Sequence, residues 1–493
     1  MPLWAAFVGP AYRARSQTID AETLINLYVE TIASQGDVKK ANLYGTPGSK
    51  FLLSVATANC RGCFSEDGVN LITVGSQLYS LDPAIMNATL LGTIPDDGAP
   101  VSYESNGRGG EQIAICGGGQ LKILNLLTMT LSAAIVLPLT NTPVMLAFLD
   151  GYFLLLEAGT IRVWFSAIED GTIWSALDFF VTSETADNLV GIKRLRDKIW
   201  VMGSHTSSVY YDSGDVVNPF VPYPGSVVNE GLVSPWAVGV QGETIIWMAQ
   251  NKDGARRVVT GQYYAPTRIS TPAIDFALAS YSATDIAATE VLIYESEGHQ
   301  FACFTIGATA TWCYDARESA VRGEPTWHQR ATTDPVMNSL SAWRARGVCT
   351  TSIGTVIGDR YTGNIYLLDL DTFTDSFGPI RRERTATYLS AENQWMFLDQ
   401  IELGIQAGVG LVSGQGSNPQ IMASISRDGA MTWDSPMAAS IGPLGAYQAT
   451  AAWYGCGRVR TDRFVLKVTM TDPVRCVWGP GLWLRATPGT GQV

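Results

Sequence analysis

The stretch Asn70-Leu-Ile-Thr-Val-Gly-Ser-Gln-Leu-Tyr-Ser-Leu-Asp82 decides the fold. Two apolar runs flank a Gly-Ser turn, and the second run ends in an aromatic residue and an acid. This reads as a β-hairpin buried on both faces. The same pattern returns at 112–124 around Gly117-Gly-Gly119, at 152–164 around Ala158-Gly159 and at 198–211 around Gly203-Ser204. Looser copies occupy 244–259, 300–314 and 355–368. With Leu71, Ile113, Phe153, Trp200, Ile246, Phe301 and Ile357 taken as equivalent, the steps are 42, 40, 47, 46, 55 and 56 residues. Propeller blades repeat at about 40–50 residues, each a four-stranded sheet. The reading is an all-β chain built on a β-propeller of six or seven blades.

Composition agrees. Of 493 residues, 49 are Gly and 49 are Trp, Tyr or Phe, while only 16% are charged. High aromatic content and low charge exclude intrinsic disorder, and Gly with aromatics disfavours a mainly helical chain. The net charge of −12 opposes a nucleic-acid-gripping protein, which needs a basic footprint. Eight of the 33 basic residues are Lys and the rest are Arg, the side chain suited to planar interface contacts. No signal peptide is expected from residues 1–16, and no apolar run reaches the roughly 18 residues of a membrane span. The eight Cys are too sparse for a disulfide scaffold. These features suggest assembly in a reducing cytoplasm.

Residues 270–281 break the pattern. A Ser/Thr cap, Pro272 and apolar residues at 274, 277, 278 and 281 predict a short helix between blades. Near 369–384 an acidic stretch, Gly378-Pro379 and Arg381-Arg-Glu-Arg384 read as a boundary. Five further strands are expected at 395–404, 420–426, 447–453, 463–470 and 475–485, in a β-sandwich-like domain. The expected division is 1–45 as an N-terminal arm with the strand that leads into the propeller, 46–378 as β-propeller and 379–493 as sandwich. Residues 2–20 read either as an arm reaching a neighbouring subunit or as a mobile terminus.

Few motifs carry chemistry. Ser426-Arg-Asp-Gly-Ala-Met-Thr-Trp433 resembles an Asp-box turn, with Ser426, Asp428, Thr432 and Trp433 in place and Ala430 where Gly is usual. Its Asp is suited to accepting turn amides, a structural role. Such turns recur in sialidase propellers, so a glycan-binding or glycan-cleaving propeller is the alternative function, although no acid and nucleophile pair stands out. Cys60-Arg-Gly-Cys63 lacks the further ligands that zinc needs. His205, His299 and His328 stand alone in the sequence. No catalytic residue, metal site or cofactor is expected.

The order of several segments resembles the packaged-DNA stabilisation proteins, or tail hub (nozzle) proteins, of short-tailed bacteriophages. These segments are Leu24-Ile-Asn-Leu-Tyr-Val-Glu30, Leu43-Tyr-Gly-Thr-Pro-Gly48, Arg61-Gly62, Gly75-Ser-Gln-Leu-Tyr79, 269–281, Gly298-His-Gln-Phe301 and Thr311-Trp-Cys-Tyr-Asp315. Trp327-His328, Phe397-Leu-Asp-Gln-Ile-Glu-Leu403, 426–433 and Gly457-Arg-Val-Arg-Thr-Asp-Arg463 complete the set. The resemblance implies a virion structural protein, not an enzyme. It implies a homo-oligomeric ring, typically a hexamer, below the portal and its adaptor. That ring would extend the DNA channel without binding DNA specifically, help retain packaged DNA and carry tail fibres, tailspikes or a tail needle. It also implies a propeller with an additional β-domain, in agreement with the repeat. An acidic lumen would keep DNA sliding freely.

Overall fold

The computed structural model describes residues 3–16, 20–33, 39–182, 187–262, 264–334, 336–375, 378–388 and 393–488. Each of the seven hairpins supplies the two middle strands of one antiparallel sheet. The middle strands are apolar on both faces because each sheet packs between two others. In Thr244–Gln250, for example, Ile245, Ile246, Trp247, Met248 and Ala249 are all fully buried. The rings of Trp200 and Trp247, from successive sheets, pack with centroids 5.4 Å apart. Burying each such side chain stabilises by about 1.5–3 kcal/mol.

The leading strands are Cys60–Glu66, Ser102–Ser105, Pro143–Leu149, Leu189–Leu195, Val238–Gln241, Glu290–Ser296 and Ala345–Thr351. Each packs on the leading strand of the next sheet, and the seventh packs on the first. The described residues therefore form a closed propeller of seven blades. The helix Pro272–Ser280 lies between the fifth and sixth blades, with the Thr271 hydroxyl accepting from Ile274 N at 3.3 Å.

The seventh blade is assembled from both ends of the propeller. Its outer strand, Gly48–Ser54, pairs antiparallel with Asn364–Asp369. Gly48 is required at that seam, because a Cβ there would lie 2.1 Å from the Thr372 carbonyl oxygen.

A β-sandwich follows. One sheet has the order Leu27–Ala33, Lys39–Gly45, Val477–Pro488, Trp395–Ile405, Ala451–Arg460. The other runs Ala21–Ile25, Arg382–Thr387, Val465–Met470, Gln420–Ser426, Met437–Ser440. Leu24, Leu27, Leu43, Ile401, Ile425, Leu466, Trp453 and Trp478 are buried in its core.

Three differences from the expected strand pattern appear here. In the segment expected as an N-terminal arm with the strand leading into the propeller, Ala21–Ile25, Leu27–Ala33 and Lys39–Gly45 form strands of the sandwich. Their apolar side chains complete the sandwich, and the described part of 2–20 folds back on the same unit. At the boundary stretch near 369–384, Arg382–Thr387 forms a central strand, which was not expected and is buried along its whole length. A third difference is smaller: the strand expected at 447–453 forms at Ala451–Arg460.

The sandwich joins the propeller as one hydrogen-bonded sheet. Ala21–Ile25 also meets Thr326–Thr333 of the sixth blade, in parallel, through Ile25 and Gln329. Asn26 then turns the chain at φ 52°, a left-handed conformation that Asn tolerates. Its amide donates to the carbonyls of Ala331 at 2.9 Å and Arg381 at 2.8 Å, and its oxygen accepts from Ala331 N at 2.9 Å.

Arg384 is fully buried and holds the N-terminal segment by its carbonyls. Nε donates to Phe7 O at 2.7 Å, and Nη1 donates to Pro10 O at 2.9 Å and Thr23 O at 3.3 Å. Glu22 stands 3.5 Å from Nη2. Arg384→Ala removes all of these at once and leaves buried acceptors unpaired. The expected loss is about 3–5 kcal/mol of unfolding free energy, read as a lower urea midpoint. Arg463→Ala, at an exposed ion pair with Asp462, should change it by less than about 1 kcal/mol.

Candidate functional site

The Asp-box turn forms between Gln420–Ser426 and Met437–Ser440. Asp428 Oδ1 accepts from Ser426 Oγ at 2.8 Å, Thr432 N at 2.9 Å and Met431 N at 3.1 Å, and Oδ2 accepts from Thr432 Oγ1 at 2.6 Å. These donors, the Thr432 hydroxyl foremost, hold the carboxyl down to about 2. Ala430 N donates to Ser426 Oγ at 2.8 Å, closing the turn. Trp433 is half-buried, with Lys467 Nζ 4.2 Å from its ring centroid. Arg427 braces the outside, donating to Asp434 at 2.7 Å and to the Cys456 carbonyl at 2.9 Å. Both Asp428 oxygens are thus committed to holding the turn.

The three histidines are not brought together as a catalytic set. His299 Nδ1 lies 2.6 Å from Asp315 Oδ2, and Arg317 Nη1 lies 2.9 Å from His299 Nε2. A guanidinium only donates, so Nε2 accepts and Nδ1 carries the proton. The imidazole is therefore engaged on both nitrogens. Asp315 Oδ1 also caps the helix Ala316–Arg322, accepting from Glu318 N at 3.0 Å. Buried Glu318 accepts from the Thr31 amide at 3.0 Å and from the Thr31 hydroxyl. This chain of contacts links the sixth blade to the sandwich. The signal in the sequence was Asp315-Ala-Arg317, but its partner stands sixteen residues away in a neighbouring strand. His328 is buried beside Phe301, and its Nε2 has no hydrogen-bond partner among the described residues.

Cys60 and Cys63 lie in the first leading strand with Sγ atoms 3.9 Å apart. Hydrogen bonding with Cys349 and Cys60, then burial, pushes the Cys63 thiol up, so it stays protonated. Among the described residues no three His, Cys, Asp or Glu side chains are grouped to hold a metal. Between the two cysteines, fully buried Arg61 donates to the carbonyls of Ala99 and Pro95, both at 2.7 Å, and to Gly75 O at 3.2 Å, and pairs with Asp97. Sequence reasoning gave Arg61 no role. It ties the first blade to the loop leading into the second.

Two further polar groups stand near the axis. Glu290 is held by Arg346 at 2.8 Å and Arg360 at 2.9 Å, joining the sixth and seventh blades. Lys193 reaches Glu104 at 3.5 Å, between the leading strands of the fourth and second blades, while burial raises the Glu104 carboxyl. A cavity of about 390 Å³ opens at the junction with the sandwich, lined by Tyr28, Glu30, Tyr44, Glu297, Arg382 and Arg475 among others. No helix among the described residues is long and apolar enough to cross a membrane. The arrangement is that of a braced scaffold with surfaces for assembly.

Two family models match the chain. One, described as the β-propeller of bacteriophage P22 Gp10, matches residues 10–373, and one described as the β-sandwich of the same protein matches 381–480. No curated protein sequence matches. The chain is similar to the extracellular domain of the putative hybrid two component system BT4673 from B. thetaiotaomicron at 11% identity and a TM-score of 0.43. That match covers 74% of this chain and less than half, 45%, of the other. It is similar to U3-55K at 10% identity and a TM-score of 0.39, covering 66% of this chain and 99% of that one. It is similar to the N-terminal domain of Nup159 at 8% identity and a TM-score of 0.41, covering 73% and 98%. At these TM-scores the likenesses carry no argument about function.

Ala430 sits at φ 67°, where an L side chain is strained. Ala430→Gly should stabilise the protein by about 1 kcal/mol, measured as a raised urea midpoint. His328 gives a pH test. Burial first, then Arg330 and His299, push its pKa down to about 3. The unfolded chain takes up a proton near the ordinary value of about 6.5, whereas the folded chain does not until about pH 3. Stability therefore falls as pH drops through this window. Urea unfolding of His328→Gln should show a shallower pH slope, by up to about 1.4 kcal/mol per pH unit.

Proposed function

The chain belongs to the bacteriophage P22 Gp10 family, and from that premise we propose that it is a structural component of a phage tail. It forms a hub or nozzle ring below the portal and its adaptor, extends the DNA channel, helps retain packaged DNA and presents a platform for fibres, spikes or a needle. The observation that carries this reading is the order of propeller then sandwich, matched over 10–373 and 381–480. The proposed ring is a homohexamer assembled in the host cytoplasm. The proposed units are 46–378 as propeller and 379–493 as sandwich, with the described strands of 1–45 built into the sandwich.

A non-enzymatic role is supported by the site geometry. Asp428 is committed to its turn, and His299 is capped on both sides. Ser426, Asp428, Thr432 and Trp433 thus act as a structural clamp. The net charge of −12 supports a conduit that duplex DNA passes without being gripped.

Imaging of virions, with immunogold labelling against this chain, should place it as a ring at the tail. Particles assembled without it should fill with DNA and then lose it. Labelling confined to the head, or full DNA retention in its absence, would refute the reading.

A further inference from the structure

The charge of the chain is unevenly divided. Residues 46–380 carry 19 Lys and Arg against 33 Asp and Glu, net −14, whereas 1–45 and 381–493 together carry 14 against 12, net +2. Blade topology concentrates the acid further. Successive antiparallel strands alternate in direction. The turn between the first and second strands and the connection between the third and fourth therefore emerge on one side of the ring. Exposed Asp150 stands in the first kind of turn, and exposed Asp82, Glu169 and Asp215 stand at the second kind. None of these four has an ion-pair partner among the described residues. Three cations on that side are already engaged: Arg108 with Asp67, Arg196 with Glu243 and Lys198 with Asp197.

Large apolar side chains project beside the acids. Ile85, Leu127, Leu177 and Val216, at the third-to-fourth connections of blades one to four, are 69%, 71%, 85% and 89% exposed. An acidic rim with apolar tips repels phosphate and fits a protein surface that offers unpaired arginines beside aromatic rings.

The sandwich carries such a surface. On three adjacent strands, Arg458, Phe397 and Thr487 stand opposite one another in one row, and Tyr454, Gln400 and Arg485 in the next. Phe397, Tyr454, Arg458 and Arg485 are all exposed. The Arg458 guanidinium lies 3.9 Å from the Trp395 ring centroid. Neither Arg458 nor Arg485 has an ion-pair partner among the described residues. The acids on this face are Asp399, which accepts from Thr487 at 2.8 Å, and Glu402, which accepts from Gln400 at 3.3 Å. Exposed Tyr and Arg around a partly covered Trp are the side chains that anchor protein interfaces.

We infer that this sandwich face docks onto the acidic, apolar-tipped side of blades one to four in a second copy of the chain. The inference rests on the tail-hub reading and names the contact by which copies join. Both surfaces lie on one chain and are open in a single copy. Their complementarity is heterologous, so repeated docking runs head to tail, as a ring requires. Charge opposition fixes the partner and the register, while the apolar tips supply contact area.

The test is sedimentation velocity with native mass spectrometry of the full chain. Arg458→Glu with Arg485→Glu should weaken self-association by at least about tenfold without altering the circular dichroism spectrum. Combining it with Asp82→Arg and Asp215→Arg should restore association. Both substitution pairs lie at exposed positions, so folding is expected to survive. The surface assignment is overturned if the wild-type ring forms and the charge reversal leaves it intact. It is also overturned if the chain stays monomeric in solution while present in virion tails, which would leave the hub reading standing. Absence of the chain from virion tails would remove the hub reading itself.

Discussion

Closure of the ring is the constraint on which the structure depends. Seven sheets packed side by side leave two open faces unless the last meets the first. Here the meeting is made by Gly48–Ser54, which pairs with Asn364–Asp369 from the far end of the propeller. The residues just before that strand, Ala21–Ile25, Leu27–Ala33 and Lys39–Gly45, are built into both sheets of the sandwich. A single N-terminal segment therefore completes two folding units, and neither can reach its full core without it.

Buried arginines serve this arrangement more as hydrogen-bond donors to backbone than as ion-pair partners. Arg384 spans three carbonyls of the N-terminal segment, Arg61 spans three around the first blade, and Arg330 donates to Pro47 O at 2.9 Å while lying 3.5 Å from the Trp343 ring centroid. A guanidinium offers five donors in a fixed fork, so one side chain satisfies several carbonyls of irregular backbone. This is the backbone that a junction between two β-units leaves unpaired. Asn26 does the same work at the crossing point with both ends of its amide. Polar networks of this kind, with directed donors, specify one docking geometry where apolar contact alone would tolerate several.

The architecture was legible where pairing is local. The seven hairpins are local, apolar on both faces and punctuated by tight turns, so each announced itself. The Asp-box turn was equally visible, because all its partners lie within eight residues. The count of six or seven blades could not be decided, because the seventh blade borrows its fourth strand from some 310 residues away, which leaves no local mark. The strands before Gly45 were read as an N-terminal arm with an entry strand for the same reason. Arg382–Thr387 was missed because charge normally signals exposure, and only the structure shows three-dimensional neighbours that make Arg384 a buried donor. The strand at Ala451–Arg460 was displaced because Gly455 and Gly457 resemble a turn. His299 was taken to stand alone because Asp315 reaches it from the end of a neighbouring strand and Arg317 from the helix that follows.

The clasp between Gly48–Ser54 and Asn364–Asp369 also sets a time scale. Its two halves are separated by nearly the whole propeller, so the entropy of closing that loop must be met before the contact returns any stabilisation. Folding is consequently slow, and the early segment waits until the distant one has been synthesised. Once the clasp is shut, the ring cannot open at this seam without breaking the pairing of Gly48–Ser54 with Asn364–Asp369. For a phage tail protein, durability then depends on that one strand pair staying shut.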